Sequence, residues 1–470
     1  MSKVIPDYQV IVIGAGPAGY MAAIRAAQLG FKTACIDHYR STDNSLSVGG
    51  TYINAGCIAA MSLLESAKLY QQIQFNAQQH GIEVDNVQLN MQQMQARKQK
   101  IIRELSQQTQ QRLLNAQVQI IHGHGYLLNE RLVQITPHQG EKFILSANHI
   151  VLATGSVPME LACAKIDQKL ILDSTAMLNL TEIPKTIGII GAGIIGLELA
   201  SIWHRLGSEV ILLDAQEQFL PATDSQISTE AYQIYQAQGL DLRLGARVIA
   251  TQKQGDRVIV DYQFHNQRQQ LTLDKLVVAC GRRPNSEKLA AAEANLLIDD
   301  NGFVHVDENS CTNLPGVYAI GDLTLSGPML AHKGLEEGMF IAEYIAQQSN
   351  PIHYDILPCV IYTDPEIAWV GQTERSLKAK GAAYKVGLFS LAATSKAQAI
   401  GKTEGLVKIL SHTETDVILG VHIIANSAAE LIAEAVLAME FSASAEDLAR
   451  TIHARPSISE ALHEATLSMI

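Results

Sequence analysis

One short pattern occurs twice in this chain and limits its fold more than any other feature. Residues 8–13, YQVIVI, form a continuous apolar run rich in β-branched side chains, as a strand buried on both faces requires. Gly14, Gly16 and Gly19 follow in the spacing GxGxxG, then a helical stretch, then a second apolar run over 31–36 that ends at Asp37. The unit returns as the run 186–190, Gly191, Gly193 and Gly196, and a run over 211–213 that ends at Asp214. Gly14 to Asp37 and Gly191 to Asp214 are both 23 residues. A glycine turn between strand and helix lets a pyrophosphate approach the backbone and the helix N-terminus, while the acid accepts from ribose hydroxyls. Two copies therefore predict two dinucleotides. Asp214 favours a free ribose 2′-hydroxyl, and no arginine follows it before Arg243, so NAD(H) is expected over NADP(H) at the second site.

A chain of 470 residues exceeds what one hydrophobic core organises and implies roughly two to four domains. The net charge of -12 argues against nucleic acid and against an anionic membrane surface, both of which select basic patches. No apolar run approaches the roughly 18 residues a membrane helix needs, and the N-terminal run reads as a strand without a cleavage site after it. The cysteines are Cys35, Cys57, Cys163, Cys280, Cys311 and Cys359. No CxxC or CxxxxC spacing occurs, so neither a disulfide framework nor a metal site is expected. A reducing cytoplasm is the expected setting.

Residues 49–61, GGTYINAGCIAAM, combine a Gly-Gly pair with Cys57, just ahead of a helix predicted over 58–70. A thiol at a helix N-terminus is easier to ionise. The glutamine-rich stretch 71–119 predicts a long helical excursion with one solvated face. HIVLATGS over 149–156 and LVVACGRRPN over 276–285 read as two matching crossovers. In GVYAIGD, Asp322 either accepts from a sugar-like hydroxyl or N-caps the following helix, and the two readings are compatible. From 351 the pattern becomes α+β, with helices over 429–441 and 444–451 and a last segment carrying His453, Arg455, Glu460 and His463.

These motifs, in one order, resemble the dihydrolipoamide dehydrogenases among the flavoprotein disulfide reductases: GAGPAGY, GGTYINAGCI, ATGSVP, IGAGIIGLELASIW, GRRPN, YAIGD, PMLAHK, VIYTDPEIAWVG and PSISEALHEA. The resemblance covers essentially the whole chain. It implies an α/β protein with two Rossmann-like dinucleotide-binding domains and a C-terminal α+β dimerisation domain. Residues 1–155 would begin the FAD domain, 156–283 form the NAD domain, 284–350 complete the FAD domain and 351–470 form the interface. FAD would meet Gly14, Gly16, Gly19, Asp37, Gly50, Thr51, Thr154, Gly155, Asp322 and the run Met329, Leu330, Ala331 and His332. NAD(H) would meet Gly191, Gly193, Gly196, Asp214 and Gly281, and Glu198 falls where the family has an acid near the nicotinamide. A homodimer is implied, with the last helix at the partner subunit's flavin site, and a 2-oxo acid dehydrogenase complex as a partner.

The departures from the family gather in one place. Its paired cysteines fall at positions 52 and 57, and here they are Tyr52 and Cys57. A phenol forms no disulfide, which closes thiol–disulfide exchange by that route. The family's lysine beside the flavin is Met61, and its general-base histidine is Arg455, while the orienting acid remains as Glu460. Arginine stays protonated and takes no proton from a substrate. Arg455 is expected to pair with Glu460. Glu198, having lost a cation, is expected to be wet, protonated or newly partnered. His453 is a weak substitute for the base.

The favoured expectation is therefore a flavoprotein that takes hydride from NADH and passes electrons to a small-molecule acceptor other than a disulfide: a quinone, a dye, oxygen or a second pyridine nucleotide. The soluble transhydrogenases, which also lack the disulfide pair, look like a precedent. Two alternatives stand beside it: a flavin-loaded, nearly inactive subunit of a complex, and lipoamide chemistry through Cys57 alone.

Overall fold

The computed structural model describes residues 5–41, 45–348 and 351–470. It divides into two compact units, one of Met1–Ser62, Gln92–Met159 and Gly281–Tyr354, the other of Leu63–Met91, Glu160–Cys280 and Asp355–Ile470. In the first unit, β1 (Tyr8–Ile13) leads through α1 (Pro17–Gln28) to β2 (Thr33–Asp37). The chain then runs through α2 (Gly50–Asn54), α3 (Cys57–Gln71) and α4 (Met91–Asn115) into β3 (Gln119–Leu127), β4 (Leu132–Pro137) and β5 (Phe143–Leu152).

The strand β1 lies between β2 and β5, both parallel to it. β3 adds beside β2, and the strand Val317–Ala319 adds beside β5. A central parallel strand is covered on both faces, and Val10 to Ile13 are all 3% exposed or less. Beyond the parallel part, β3, β4 and β5 continue as an antiparallel meander.

The second unit repeats this order. Thr186–Ile190 lies between Glu209–Asp214 and Lys275–Val278, with Asp241–Leu244 and Ile171–Leu172 at the edges, all parallel. An antiparallel meander of Arg247–Gln254, Arg257–Phe264 and Gln267–Leu273 shares an apolar cluster with that sheet. The C-terminal part of this unit is an antiparallel sheet ordered Cys359–Ile361, Glu366–Gly371, Ile418–Ala425, Leu406–His412 and Tyr384–Ser390. The helices Ala428–Glu440 and Glu460–Leu467 pack on it through Leu431, Ile432, Ala435, Leu462 and Ala465. Lys408, fully buried, joins the two parts of the unit by reaching Asp224 at 2.7 Å and Glu374 at 2.5 Å.

The mixed α/β class expected from the repeats is what forms. The helix expected over 58–70 is α3, one residue longer at each end. The excursion over 71–119 is not one helix. It loosens into a π-helical turn at Gln72–Asn76, tightens to a 3₁₀ turn at Ala77–His80, and stops at Gly81, whose φ is +72°. Residues 82–90, rich in β-branched and Asx side chains, form no regular structure before α4 begins. Among the described residues, no helix is long and apolar enough to cross a membrane.

Candidate functional site

Each parallel sheet opens its glycine turn at the carboxyl end of its central strand, where α/β folds take their ligands. Gly14 has φ +105°, and a Cβ there would meet the Ala153 carbonyl oxygen at 2.3 Å. Gly191 has φ +107°, and a Cβ would meet the Ala279 oxygen at 2.5 Å. Both conditions demand glycine. The acids also match. Asp37 accepts from the amides of Ala15 and Tyr39, each at 2.9 Å. Asp214 accepts from the amide of Ala192 at 2.7 Å and that of Gln216 at 2.8 Å. Each oxygen retains a lone pair for a ribose hydroxyl. Burial pushes the Asp37 carboxyl above its ordinary range, against the pull of those amides.

The helices that follow begin at Pro17 and Ile194 with the extended residues Gly16 and Gly193 as N-caps, so their amide ends face the turns. The donor set and the bare backbone fit a dinucleotide in both copies. The copies differ at one point. A Cβ on Gly50 would lie 2.6 Å from Gly16 Cα, whereas one on Gly193 would meet open space. The first turn is thus backed by α2.

That backing carries the segment 49–61. Gly49 N donates to Ala15 O at 2.8 Å. Asn54 Nδ2 donates to Gly50 O at 2.9 Å and Val48 O at 3.2 Å, while its Oδ1 accepts from Ser47 Oγ at 2.7 Å. Ser106 of α4 completes the network, donating to Val48 O at 2.9 Å. On this frame Tyr52 lies half-buried in α2 beside exposed Thr51, and Cys57 opens α3, also exposed. The two positions interact: burial first, and the Cys57 charge second, push the Tyr52 phenol up from its ordinary value. The phenol therefore stays protonated beside the thiol. Met61 is half-buried on α3, just after the buried Ala59 and Ala60.

Asp322 accepts from Ser156 Oγ at 2.6 Å, and that hydroxyl accepts from Arg282 Nε at 2.7 Å. Its alternative reading as an N-cap does not form, because the helix Ala331–Ile345 begins later, with Leu330 as N-cap after Met329 and with His332 in its first turn. The crossover strands Ser156–Pro158 and Arg282–Pro284 pair antiparallel. Thr154 Oγ1 donates to Asn285 O, and Asn285 N to Gly155 O, each at 2.8 Å. Under this lies a group the sequence reading missed. Buried Lys333 donates to Gly321 O at 3.1 Å and pairs with buried Glu337 at 3.2 Å, and Gly321 N donates to Glu337 at 2.6 Å. The signal was an i,i+4 Lys–Glu pair inside an apolar helix.

In the second unit Glu198 is half-buried on the helix Ile194–Arg205 and accepts from Tyr362 N at 3.1 Å. Burial pushes its carboxyl up to about 7. The Tyr362 amide is thus a partner for the carboxylate, and burial favours its protonated form. Gly281 has φ +122° at the end of the crossover. Arg455 reaches Glu460 at 3.5 Å, but its shorter contact is with Glu464 at 2.5 Å, a partner the sequence reading did not name. Glu460 also accepts, through its other oxygen, from Ser457 N at 2.8 Å. His453 contacts Glu434 at 2.6 Å and stacks on His463 with ring centroids 4.8 Å apart.

The model of the pyridine nucleotide-disulphide oxidoreductases matches residues 8–338, and that of their dimerisation domain matches 357–466. The chain belongs to the pyridine nucleotide-disulphide oxidoreductase family. It is 41% identical over 474 residues to the dihydrolipoyl dehydrogenase of Cupriavidus necator, spanning 100% of this chain and 98% of that one. The crystal structure of LpdA from Mycobacterium tuberculosis superposes with a TM-score of 0.90 at 25% identity, over 98% of this chain and 100% of that one. The HOCl-induced flavoprotein disulfide reductase RclA from Escherichia coli superposes at 0.84 and 26% identity, over 98% and 99%. Membership of the pyridine nucleotide-disulphide oxidoreductases implies binding of FAD and NAD(P), and the dimerisation domain supports a homodimer. The chain is thus a dihydrolipoyl dehydrogenase-like oxidoreductase.

Proposed function

We propose that this chain takes hydride from NADH and delivers the electrons to a small-molecule acceptor that is not a disulfide, such as a quinone. The observation that carries the proposal is Tyr52, a protonated phenol in charge contact with Cys57 where the relatives' chemistry needs a second thiol. No disulfide can close between them. The C-terminal segment supports the same reading, since Arg455 is a permanent cation held by Glu464 and Glu460 and takes no proton.

The first glycine turn, with Asp37 and Asp322, would hold FAD, and the second, with Asp214, would hold NAD(H). FAD supplies hydride acceptance and onward electron transfer; the protein supplies orientation and electrostatics. Preference for NAD(H) over NADP(H) rests on Asp214, whose charge repels a 2′-phosphate, and on Arg243. That arginine is engaged with Asp241 at 2.6 Å and hydrogen-bonds the Tyr262 hydroxyl, so it does not serve a phosphate. Glu198, pushed up to about 7 by burial, would offer the nicotinamide side a carboxyl held by the Tyr362 amide.

Two measurements test this. Anaerobic titration with NADH should bleach the flavin with one NADH per FAD, and NADH–quinone turnover should far exceed dihydrolipoamide–NAD turnover. Flavin that NADH never reduces would support a structural subunit instead. Dihydrolipoamide oxidation within about tenfold of quinone reduction would overturn the reading.

A further inference from the structure

The buried ion pair beneath Asp322 belongs to neither glycine turn, and the proposed chemistry does not use its charges. Lys333 and Glu337 stand one turn apart in the helix Ala331–Ile345, both fully buried. Every polar atom of the pair is engaged. The Lys333 ammonium donates to Gly321 O and Ser326 O at 3.1 Å each and to Glu337 Oε1 at 3.2 Å, which uses its three N–H groups. Glu337 Oε1 also accepts from the Tyr354 hydroxyl at 2.9 Å, and Oε2 accepts from Gly321 N at 2.6 Å. Both oxygens accept, so neither carries a proton, although burial pushes the carboxyl above its ordinary value.

These contacts converge on the residue before Asp322. Gly321 has its N–H held by Glu337 and its C=O held by Lys333. Its φ is +74°, a conformation that favours glycine and that the two bonds fix from both sides. The contact with Ser326 O ties down the far end of the same turn. The helix that carries the pair is seated on the first turn of α1. A Cβ on Gly334 would lie 3.2 Å from Ala18 Cβ, and one on Gly338 would lie 2.4 Å from Ala18 O. Asp322 is thus set against the start of α1 through its backbone, while Ser156 holds its Oδ2. Stability alone does not ask for charges here, because apolar side chains of similar volume in place of a buried ion pair are often neutral or stabilising. We propose that Lys333 and Glu337, with Tyr354, are positioning residues for the flavin. They fix the Gly321 backbone so that the Asp322 carboxylate and the start of α1 meet the hydroxyl chain and the pyrophosphate of one FAD together.

This role rests on the first glycine turn and Asp322 being the flavin site. The full-length holoenzyme of each variant is diluted, released FAD is followed by its fluorescence to give a Kd, and circular dichroism reports the fold. Lys333→Met/Glu337→Gln removes both charges and keeps an acceptor for Gly321 N. Its FAD Kd should rise at least about tenfold with the fold intact, as lost preorganisation requires. Tyr354→Phe, which removes one hydroxyl, should raise the Kd about threefold. In an Asp322→Ala background both penalties should shrink to within about twofold, because residues that act through one group are not additive. Undiminished penalties in that background would overturn the role. So would an unchanged Kd in a folded Lys333→Met/Glu337→Gln protein. If that variant does not fold, Tyr354→Phe decides alone, and an unchanged Kd there overturns the role. Asp322→Ala binding FAD as tightly as the parent chain would instead overturn the site reading beneath it.

Discussion

Under the proposed function, Tyr52 and Arg455 would each change the chemistry by identity alone. Tyr52→Cys would return a second thiol opposite Cys57 but leave no base. Tyr52→Cys with Arg455→His would supply both, and a positioned base contributes roughly 10²–10⁴ in rate. Dihydrolipoamide–NAD turnover, followed as NADH formation, should rise by about 10² or more from the single to the double variant. Equal rates in the two would show that position 455 plays no part. Stability should change little, since Arg455 is more than half exposed and its pairs are solvent-screened. The proposed roles of Tyr52 and Arg455 could be framed from the sequence because they need only residue types. That of Glu464 could not, although it lies one helical turn beyond Glu460, where i,i+4 neighbours share a face. The raised carboxyl of Glu198 was beyond the sequence too, because desolvation depends on what packs around the group. Its ordinary value is 4.5 and in the fold it is about 7, so between those values the folded chain holds more protons than the unfolded chain. Stability is then full at low pH and falls as pH rises through that window. Glu198→Gln removes the fall. At about 1.4 kcal/mol per pKa unit, discounted for partial exposure, the variant should gain about 2 kcal/mol at pH 8 and almost nothing near pH 4. Unfolding curves at the two pH values check this, and an equal shift at both would count against a buried acid. Glu366, also pushed up to about 7, adds a slope that the substitution leaves in place.

At the scale of elements, the repeat was legible because its demands are local: a buried strand, a turn with positive φ, a helix start and an acid at fixed distance. The same demands let the two sites be separated. In Gly14→Ala the new Cβ collides with the Ala153 carbonyl in a backbone conformation L residues rarely adopt. The variant should purify without flavin. Gly191→Ala makes the matching collision with Ala279 in the other copy. That protein should keep its flavin but lose its reduction by NADH, with an NADH Kd raised at least about tenfold. A Gly191→Ala protein that loses flavin, or a yellow Gly14→Ala protein, would show that the copies had been assigned the wrong way round. Elements that depend on distant partners were not legible. Asp322 was open to a capping role until the helix start appeared at Ala331, and the hydroxyl it accepts from within the chain belongs to Ser156, 166 residues away in sequence. The stretch 71–119 matched helical spacing, yet the positive φ of Gly81 and the β-branched and Asx residues after it break the helix.

At the scale of the whole molecule, the C-terminal part carries apolar side chains that one chain leaves bare: Leu437, on the helix Ala428–Glu440, is 61% exposed, Phe441 at its end 79% and Ile452 97%. Scattered surface apolar residues need no explanation, but these belong to the segment matched by the dimerisation domain. Nothing in the residue order distinguishes such side chains from core ones, so the interface was expected only through the resemblance. Burying an aromatic or branched side chain contributes about 1.5–3 kcal/mol, and in a two-fold interface each counts twice. The double variant Phe441→Glu/Ile452→Glu should therefore remove about 6–12 kcal/mol of association and add four buried charges per dimer. Sedimentation at micromolar concentration should then give a monomer in place of the expected dimer. Flavin content should be unchanged, because the first glycine turn and α2 are built within the other compact unit. Quinone turnover separates two consequences of that monomer. If the last helix completes the partner's site, turnover collapses with the dimer; if Arg455 no longer takes part in chemistry, much of it survives. A variant that stays dimeric with its dissociation constant unchanged would show that Phe441 and Ile452 lie outside the interface.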